Sequence, residues 1–384
     1  MFMVSNLAHT PIQIKKAESF VYRSPIREPV QTSFGIMHDR PAVAIRLEDN
    51  EGCVGWGEIW CNFPSVGAEH RARLFDSVVA PILLEKVWPT PTAAFQELTN
   101  RLHILGIQCG EPGTIAQAIA GTDIALWDLL GRKTGKPLWE LFGGTPQIET
   151  YASGISPTNP EKIAAEKWAE GFRAFKLKVG FGQDRDFSNL QALRSLLGPD
   201  TKIMVDANQA WSLESAARYI EHLAPLNPFW VEEPIAADRP IKEWNMLAAQ
   251  SSVPLAAGEN MRGDTQFYEA IQSNAFRVIQ PDIGKWGGFS GCIPVAKAIC
   301  ASNQLFCPHW LGGGIGLVAS MHLKAAVGQA GFVEVDSNPN LLREAMAMPY
   351  PVISDGMVLL SNEPGLGIAP EINQIMDLQV KHYF

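Results

Sequence analysis

Residues 174–180 read AFKLKVG, an apolar run carrying two lysines one residue apart, Lys176 and Lys178. A β-strand sends alternate side chains to one face, so both ammonium groups point the same way while Phe175, Leu177 and Val179 cover the other. An isolated lysine pair of this kind is usually a solvated strand face. Here the apolar flanks leave little face to solvate. Two adjacent ammonium groups also disfavour one another's charge, which predicts a lowered pKa and base function for Lys178.

The same form recurs down the chain. Short apolar runs at residues 202–206, 229–232, 254–258, 277–280, 304–307 and 331–335 end in or beside an ionisable residue. These residues are Asp206 in MVDAN, Glu232 in WVEEP, Glu259 in AAGEN, Asp282 in QPDIG, His309 in CPHW and Glu334 in FVEVD. The steps between successive ends lie between 28 residues (Lys178 to Asp206) and 23 (Glu259 to Asp282). One strand–helix unit of a TIM barrel takes about 30 residues, and its strand ends share one mouth. With residues 149–153 ahead of them and amphipathic stretches between, the runs supply eight strands, the number that closes a barrel. The fold class expected is therefore α/β.

Seven ionisable groups converging on one pocket are too costly to bury unless they pair or bind metal. Asp206, Glu232 and Glu259 are consecutive in the series. Taken singly, each has an ordinary reading as a solvated strand-end acid. Together they form an all-oxygen set suited to a hard octahedral cation such as Mg²⁺. Asp282 and His309 end neighbouring strands, close enough for a carboxylate to orient an imidazole. A lone histidine is more often structural, and the other seven lie off the beat.

Before residue 146 the pattern differs. Strand-like runs at 12–21, 42–47 and 54–58 precede helical stretches at 69–84, 91–105 and 114–134. Asp49-Asn50-Glu51-Gly52 supplies hairpin turn chemistry between the last two strands. Strands first and helices afterwards indicate an α+β domain. The expected division is 1–145 for this domain, 146–337 for the barrel, and 338–384 for a tail that packs back on the first domain.

With 46% hydrophobic and 18% charged residues, the 384-residue chain has ordinary globular usage. A net charge of −9 gives no general attraction to nucleic acid or anionic lipid. The six cysteines are scattered without ligand or disulfide spacing. No stretch approaches the roughly 18 apolar residues of a membrane span, and the opening residues lack a signal pattern. A cytoplasmic location is expected.

The motif set KxK, VDAN, EEP, GEN, PDIGKWGG and PHW, with AGTDIALWDLLGRKTGKPLWELFGG at 120–144, resembles the enolase superfamily. Within it, the chain looks like the mandelate racemase subgroup and the acid-sugar dehydratases. The resemblance implies a modified TIM barrel, (β/α)7β, with an α+β N-terminal capping domain completed by the C-terminal segment. It implies Mg²⁺ on Asp206, Glu232 and Glu259. Lys178 would be the base on one substrate face, with Lys176 lowering its pKa or touching the substrate carboxylate. His309, held by Asp282, would serve the opposite face, and Glu334 would hydrogen-bond the enediolate oxygen. Asn208 would stand near metal or substrate. In the muconate-lactonising and dipeptide-epimerase branch a lysine stands five residues before the Gly-Gly pair. Here that position is Asp282, and Lys285 need not be catalytic.

The implied chemistry is Mg²⁺-dependent removal of the proton α to the carboxylate of a small molecule, by a homo-oligomer. Dehydration of an aldonate or aldarate to a 2-keto-3-deoxy acid is preferred. Racemisation of an α-hydroxy acid is the alternative, and a non-catalytic barrel a lesser one. Capping-domain loops would face substrate: residues 24–37, with Arg27 and His38, and Trp60-Cys61-Asn62-Phe63-Pro64. Arg27 pairs a distal carboxylate in one reading and is a solvated loop arginine in another. The run Gly312–Gly316 resembles a phosphate cradle, and close backbone packing beside His309 explains it more plainly.

Overall fold

The computed structural model describes residues 10–31, 35–328 and 330–381. Strands β1 (Ile14–Gln31), β2 (Ile36–Asp49) and β3 (Val54–Ile59) form an antiparallel sheet in that order. The β2–β3 turn is held by Asp49, whose Oδ1 accepts the N–H groups of Glu51 and Cys53, both at 2.9 Å. Gly52 supplies the positive φ of 84° that the turn requires.

β1 runs ten residues beyond the apolar stretch that suggested it. The strand accommodates Pro25 and Pro29 because the register shifts between Pro25 and Val30, so the missing N–H groups fall at an irregularity. Much of the expected 24–37 loop is therefore strand, while residues 32–34 lie outside the described residues. Helices Gly67–Leu74, Pro91–Gln108 and Pro112–Thr134 follow. The last is buried continuously from Ala118 to Gly131, because it is wedged between this sheet and the barrel. Its approach to β3 is so close that a Cβ on Gly57 would collide with the carbonyl of Gly121.

The eight later strands are β4 (Gln147–Ile155), β5 (Ala174–Lys178), β6 (Lys202–Asp206), β7 (Val231–Glu232), β8 (Leu255–Ala257), β9 (Val278–Ile279), β10 (Leu305–Phe306) and β11 (Phe332–Asp336). They pair in parallel from β4 through β10, and β11 returns to pair with β4. The junction between β10 and β11 carries no ladder among the described residues. Side chains bridge it instead. The Phe332 N–H donates to Cys307 Sγ at 3.4 Å, and buried Lys324 donates from Nζ to the carbonyls of Phe306 (3.1 Å) and Ala330 (3.0 Å).

Alternation sorts the strand residues. Ala174, Met204, Trp230 and Phe332 join Tyr151 and Cys307 in an apolar cluster of their own. The residues two further on are Lys176, Asp206, Glu232 and Glu334, so the same face turns from apolar to ionic towards the strand ends. Intervening residues such as Phe175, Leu177, Val205 and Val231 belong to the main core instead.

The tail does two things. A hairpin of β12 (Ile353–Ser354) and β13 (Met357–Leu359) adds β13 antiparallel to the start of β4. Beyond it the Leu366 N–H donates to Asp128 Oδ1 at 2.7 Å, and the Val380 N–H to the Val21 carbonyl at 2.9 Å, both in the first domain. Among the described residues no helix is long and apolar enough to cross a membrane.

Candidate active site

A cavity of about 770 Å³ opens at the carboxyl ends of the strands. Lys178 enters it from β5 and His309 from the residues after β10. In the ring these two stand apart, with β6–β9 between them on one side and β11 and β4 on the other. Asn208, Gln209, Glu259, Asn260 and Lys285 add polar wall, and Trp60, Asn62 and Phe63 come from the capping domain.

Lys178 donates to Asp206 Oδ2 at 2.6 Å and to Asn208 Oδ1 at 2.8 Å. Burial and the neighbouring Lys176 oppose its charge, yet Asp206 outweighs both and raises its pKa above the ordinary lysine value. The pair reasoning therefore had the local repulsion right and the net direction wrong, because the carboxylates of neighbouring strands were left out of it. Lys176 lies below the cavity and is fully buried. Its Nζ bonds Glu232 Oε1 at 2.6 Å and Glu334 Oε1 at 2.7 Å, and stands 5.3 Å from the Tyr151 ring centroid. Burial works against its charge, but Glu232 and Glu334 overcome it and hold the group cationic.

His309 Nδ1 pairs with Asp282 Oδ2 at 2.6 Å, and Nε2 with Glu259 Oε2 at 2.7 Å. Burial favours the neutral ring, but Glu259, Glu334 and Asp282 raise its pKa well above the ordinary histidine value. Glu334 accepts from Ser153 Oγ and from the Trp310 N–H at 3.1 Å. Burial raises its pKa, and Lys176 and His309 bring it below the ordinary carboxylate value. In this setting Glu334 is charged and accepts. Donation to a substrate oxygen would need a proton that its neighbours keep away.

Asp206 and Glu232 are register partners at the ends of β6 and β7, and Glu259 follows β8. No three acids or histidines among the described residues are arranged at metal-ligand spacing as they stand. Each carboxylate is turned onto other groups: Asp206 onto Lys178, Glu232 onto Lys176 and Gln280, Glu259 onto His309 and Lys285. The donor chemistry still fits a hard cation, since two buried carboxylates and the half-buried Glu259 beside them offer oxygen alone.

Arg27 is exposed on β1 and is not among the residues lining the cavity. Trp60 is, with Lys285 Nζ 4.5 Å from its ring centroid. Lys285, set aside in the sequence, reaches the cavity and bonds Glu259 Oε2 at 3.0 Å. The Gly312–Gly316 run holds an internal carboxylate: Glu58 Oε1 accepts the Gly313 N–H at 2.5 Å, and Oε2 accepts the Gly316 N–H at 2.9 Å. That leaves the phosphate reading without an opening, and close packing accounts for the glycines. Burial pushes the pKa of Glu58 up to about 7, against those N–H groups. Gln280, whose amide bonds Glu232 Oε2 at 2.6 Å, was also missed.

Comparison with known proteins places the chain in a family. The family model for the mandelate racemase / muconate lactonizing enzyme N-terminal domain matches residues 16–143, and the enolase C-terminal domain-like family matches residues 161–374. The chain belongs to the enolase superfamily. A superfamily structure from Bordetella bronchiseptica RB50, described as a mandelate racemase/muconate lactonizing enzyme, is 48% identical with a TM-score of 0.90, covering 96% of this chain and 100% of that one. A racemase from Streptomyces coelicolor A3(2) with bound magnesium is 29% identical with a TM-score of 0.87, over 96% of this chain and 100% of that one. Among curated relatives, the 3,6-anhydro-alpha-L-galactonate cycloisomerase of Streptomyces coelicolor is 31% identical over 96% of this chain and 99% of its own length. The arabinonate dehydratase of Saccharolobus solfataricus is 28% identical over 86% and 88%.

Proposed function

We propose that this superfamily member removes the proton α to the carboxylate of a sugar acid and expels the β-oxygen, giving a 2-keto-3-deoxy acid. The observation that carries the reading is the placement of Lys178 and His309 on opposite sides of one cavity, with Asp206, Glu232 and Glu259 on the strands between them. Relatives named as sugar-acid dehydratases and cycloisomerases support the substrate class.

Paired with Asp206, Lys178 is an ammonium; once Asp206 is drawn off it and its proton is lost to solvent beside cationic Lys176, its Nζ takes the α-proton, and the bonding pair moves into the carboxylate as an enediolate. The β-carbon–oxygen bond then breaks. His309, protonated and held by Asp282, gives its proton to the departing hydroxyl, which leaves as water. The resulting enol tautomerises to the keto acid. Lys176 is too deeply buried to touch substrate and acts through Glu232 and Glu334. Asp206, Glu232 and Glu259 would hold Mg²⁺, which would supply positive charge for the substrate carboxylate, and Asp206 so engaged would release Lys178.

The amides of Asn62, Asn208, Gln209 and Asn260 suit a polyhydroxylated chain. No arginine is among the described lining residues, which favours an aldonate over an aldarate. A second reading has specific support in the cycloisomerase relative. In a 3,6-anhydro sugar acid the β-oxygen is a ring ether, so the same two proton transfers open a ring and release no water. Purified protein with Mg²⁺ is to be tested against aldonates, aldarates, anhydro sugar acids and aryl α-hydroxy acids in D₂O. Keto acid with solvent deuterium at the former β-elimination site supports the reading. Deuterium exchange with inversion and no keto acid replaces it with a racemase. An absence of exchange with every acid rejects it.

A further inference from the structure

The glycine-rich turn after His309 is occupied by a residue from the other domain. Glu58, on β3, is 1% exposed and separated from Gly313 by 255 positions in sequence. A Cβ on Gly313 would stand 2.5 Å from Glu58 Oε1, so the turn is glycine because the carboxylate is there. Trp310, next to His309, donates from Nε1 to the Gly313 carbonyl at 2.9 Å, and a side chain on Gly312 or Gly316 would collide with its ring. The segment from His309 to Gly316 is thus fixed by Asp282 on the imidazole, Glu334 on the Trp310 N–H, and Glu58 on the Gly313 and Gly316 N–H groups. Four residues beyond Glu58, Asn62 Nδ2 donates to the Leu311 carbonyl at 2.5 Å. Asn62 and Leu311 both line the cavity.

We propose that Glu58 is a positioning residue for His309. Its carboxylate, seated among N–H groups at the start of helix Gly314–Ala325, sets the placement of the 309–313 segment and hence of the imidazole. It also registers that segment against the capping-domain residues 60–63 at the cavity wall. A pin of this kind answers a physical problem: the capping domain and the barrel strand reach one cavity from distant parts of the chain, and an error of about 1 Å at a reacting group costs about 100-fold in rate. The proposal rests on His309 being the proton carrier of the reading above.

The test uses E58Q, whose amide accepts one of the two N–H groups and faces the other with a second donor, and E58D, which keeps the charge but falls short by one methylene. Hydrogen–deuterium exchange of the full protein comes first, since it needs no substrate. The peptide covering 309–317 is expected to lose about 10-fold or more in protection, with 183–197 and 202–206 unchanged. Unchanged protection at 309–317, or loss throughout the protein, overturns the proposal.

Kinetics follow on whichever of the two variants keeps wild-type protection elsewhere. The expected result is a fall in kcat of roughly 100-fold, with KM within about twofold. In an H309N background the same Glu58 change should leave α-proton exchange by Lys178 unaltered. Slowing of that residual exchange by as much as in the wild type means a general structural role and rejects the proposal. If wild-type protein exchanges no acid at all, the enzymatic reading fails, and the exchange-protection measurement alone decides whether Glu58 holds the segment.

Discussion

Asp282 Oδ2 stands 2.6 Å from His309 Nδ1, while Asp282 Oδ1 receives the N–H groups of Gly284 and Lys285 at 2.8 and 2.9 Å. The carboxylate is clamped by its own turn, so the imidazole inherits a fixed orientation and keeps its proton on the Asp282 side. Asn at position 282 keeps the shape but allows the opposite tautomer. D282N should therefore lower turnover by about 100- to 10,000-fold. Exchange from the Lys178 face should persist. Equal loss on both faces, followed by proton NMR in D₂O, would show that the two groups do not act separately.

Lys178 bonds both Asp206 and Asn208 at the cavity edge. K178M removes the only proton acceptor assigned to that face and leaves buried Asp206 with Lys176 at 3.8 Å. The expected outcome is no detectable α-proton exchange from the Lys178 face, with the barrel still folded by circular dichroism. Residual exchange at more than about one hundredth of the wild-type rate would assign the base elsewhere.

Three carboxylates at the ends of neighbouring strands, Asp206 and Glu232 buried and Glu259 half-buried, should make stability depend on a divalent cation. Mg²⁺ at about 100 times its Kd should raise unfolding free energy by about 2.7 kcal/mol. E259Q removes one anionic oxygen donor and should erase most of that gain. Chelation should abolish exchange, and added Mg²⁺ restore it. Calorimetric melts with and without Mg²⁺, for both proteins, check the pair of expectations. A melting temperature indifferent to Mg²⁺ in the wild type would remove the cation from the site.

The barrel was legible because its signal is local and repeated. An apolar run ending in an acid, lysine or histidine recurs at Lys178, Asp206, Glu232, Glu259, Asp282, His309 and Glu334, and period-2 alternation predicts which side of the strand each occupies. Strand lengths were less legible. Val278–Ile279 and Leu305–Phe306 pair over two residues each, shorter than the runs 277–280 and 304–307 that suggested them. What the sequence hides is non-local pairing. Nothing near Glu58 announces Gly313, and nothing near Lys324 announces that its ammonium serves the Phe306 carbonyl at the β10–β11 junction. The direction of the Lys178 pKa was misjudged for the same reason, because Asp206 joins it only through the β5–β6 register.

His322 supplies a pH dependence that is independent of the active site. It is buried on helix Gly314–Ala325, where Nδ1 accepts the Trp139 N–H at 3.0 Å and Nε2 lies 3.1 Å from the Leu366 carbonyl. That pattern fits a neutral ring with its proton on Nε2, joining the barrel helix to the end of the capping domain and to the tail. Burial, with no acid among the causes, lowers its pKa from 6.5 to about 4. Above pH 6.5 both folded and unfolded chains carry a neutral ring and the full stability is present. As pH falls from 6.5 towards 4, the unfolded chain takes a proton that the folded one refuses, so stability is lost across that window. The loss amounts to about 3 kcal/mol at most, at about 1.4 kcal/mol per pH unit. H322Q keeps one donor and one acceptor but cannot titrate, so it should be less stable than wild type at pH 7.5 and should close the gap by pH 4.5. Urea melts of both proteins at intervals of half a pH unit measure the difference directly. Parallel stability curves would mean that His322 takes a proton in the folded protein as readily as in the unfolded chain.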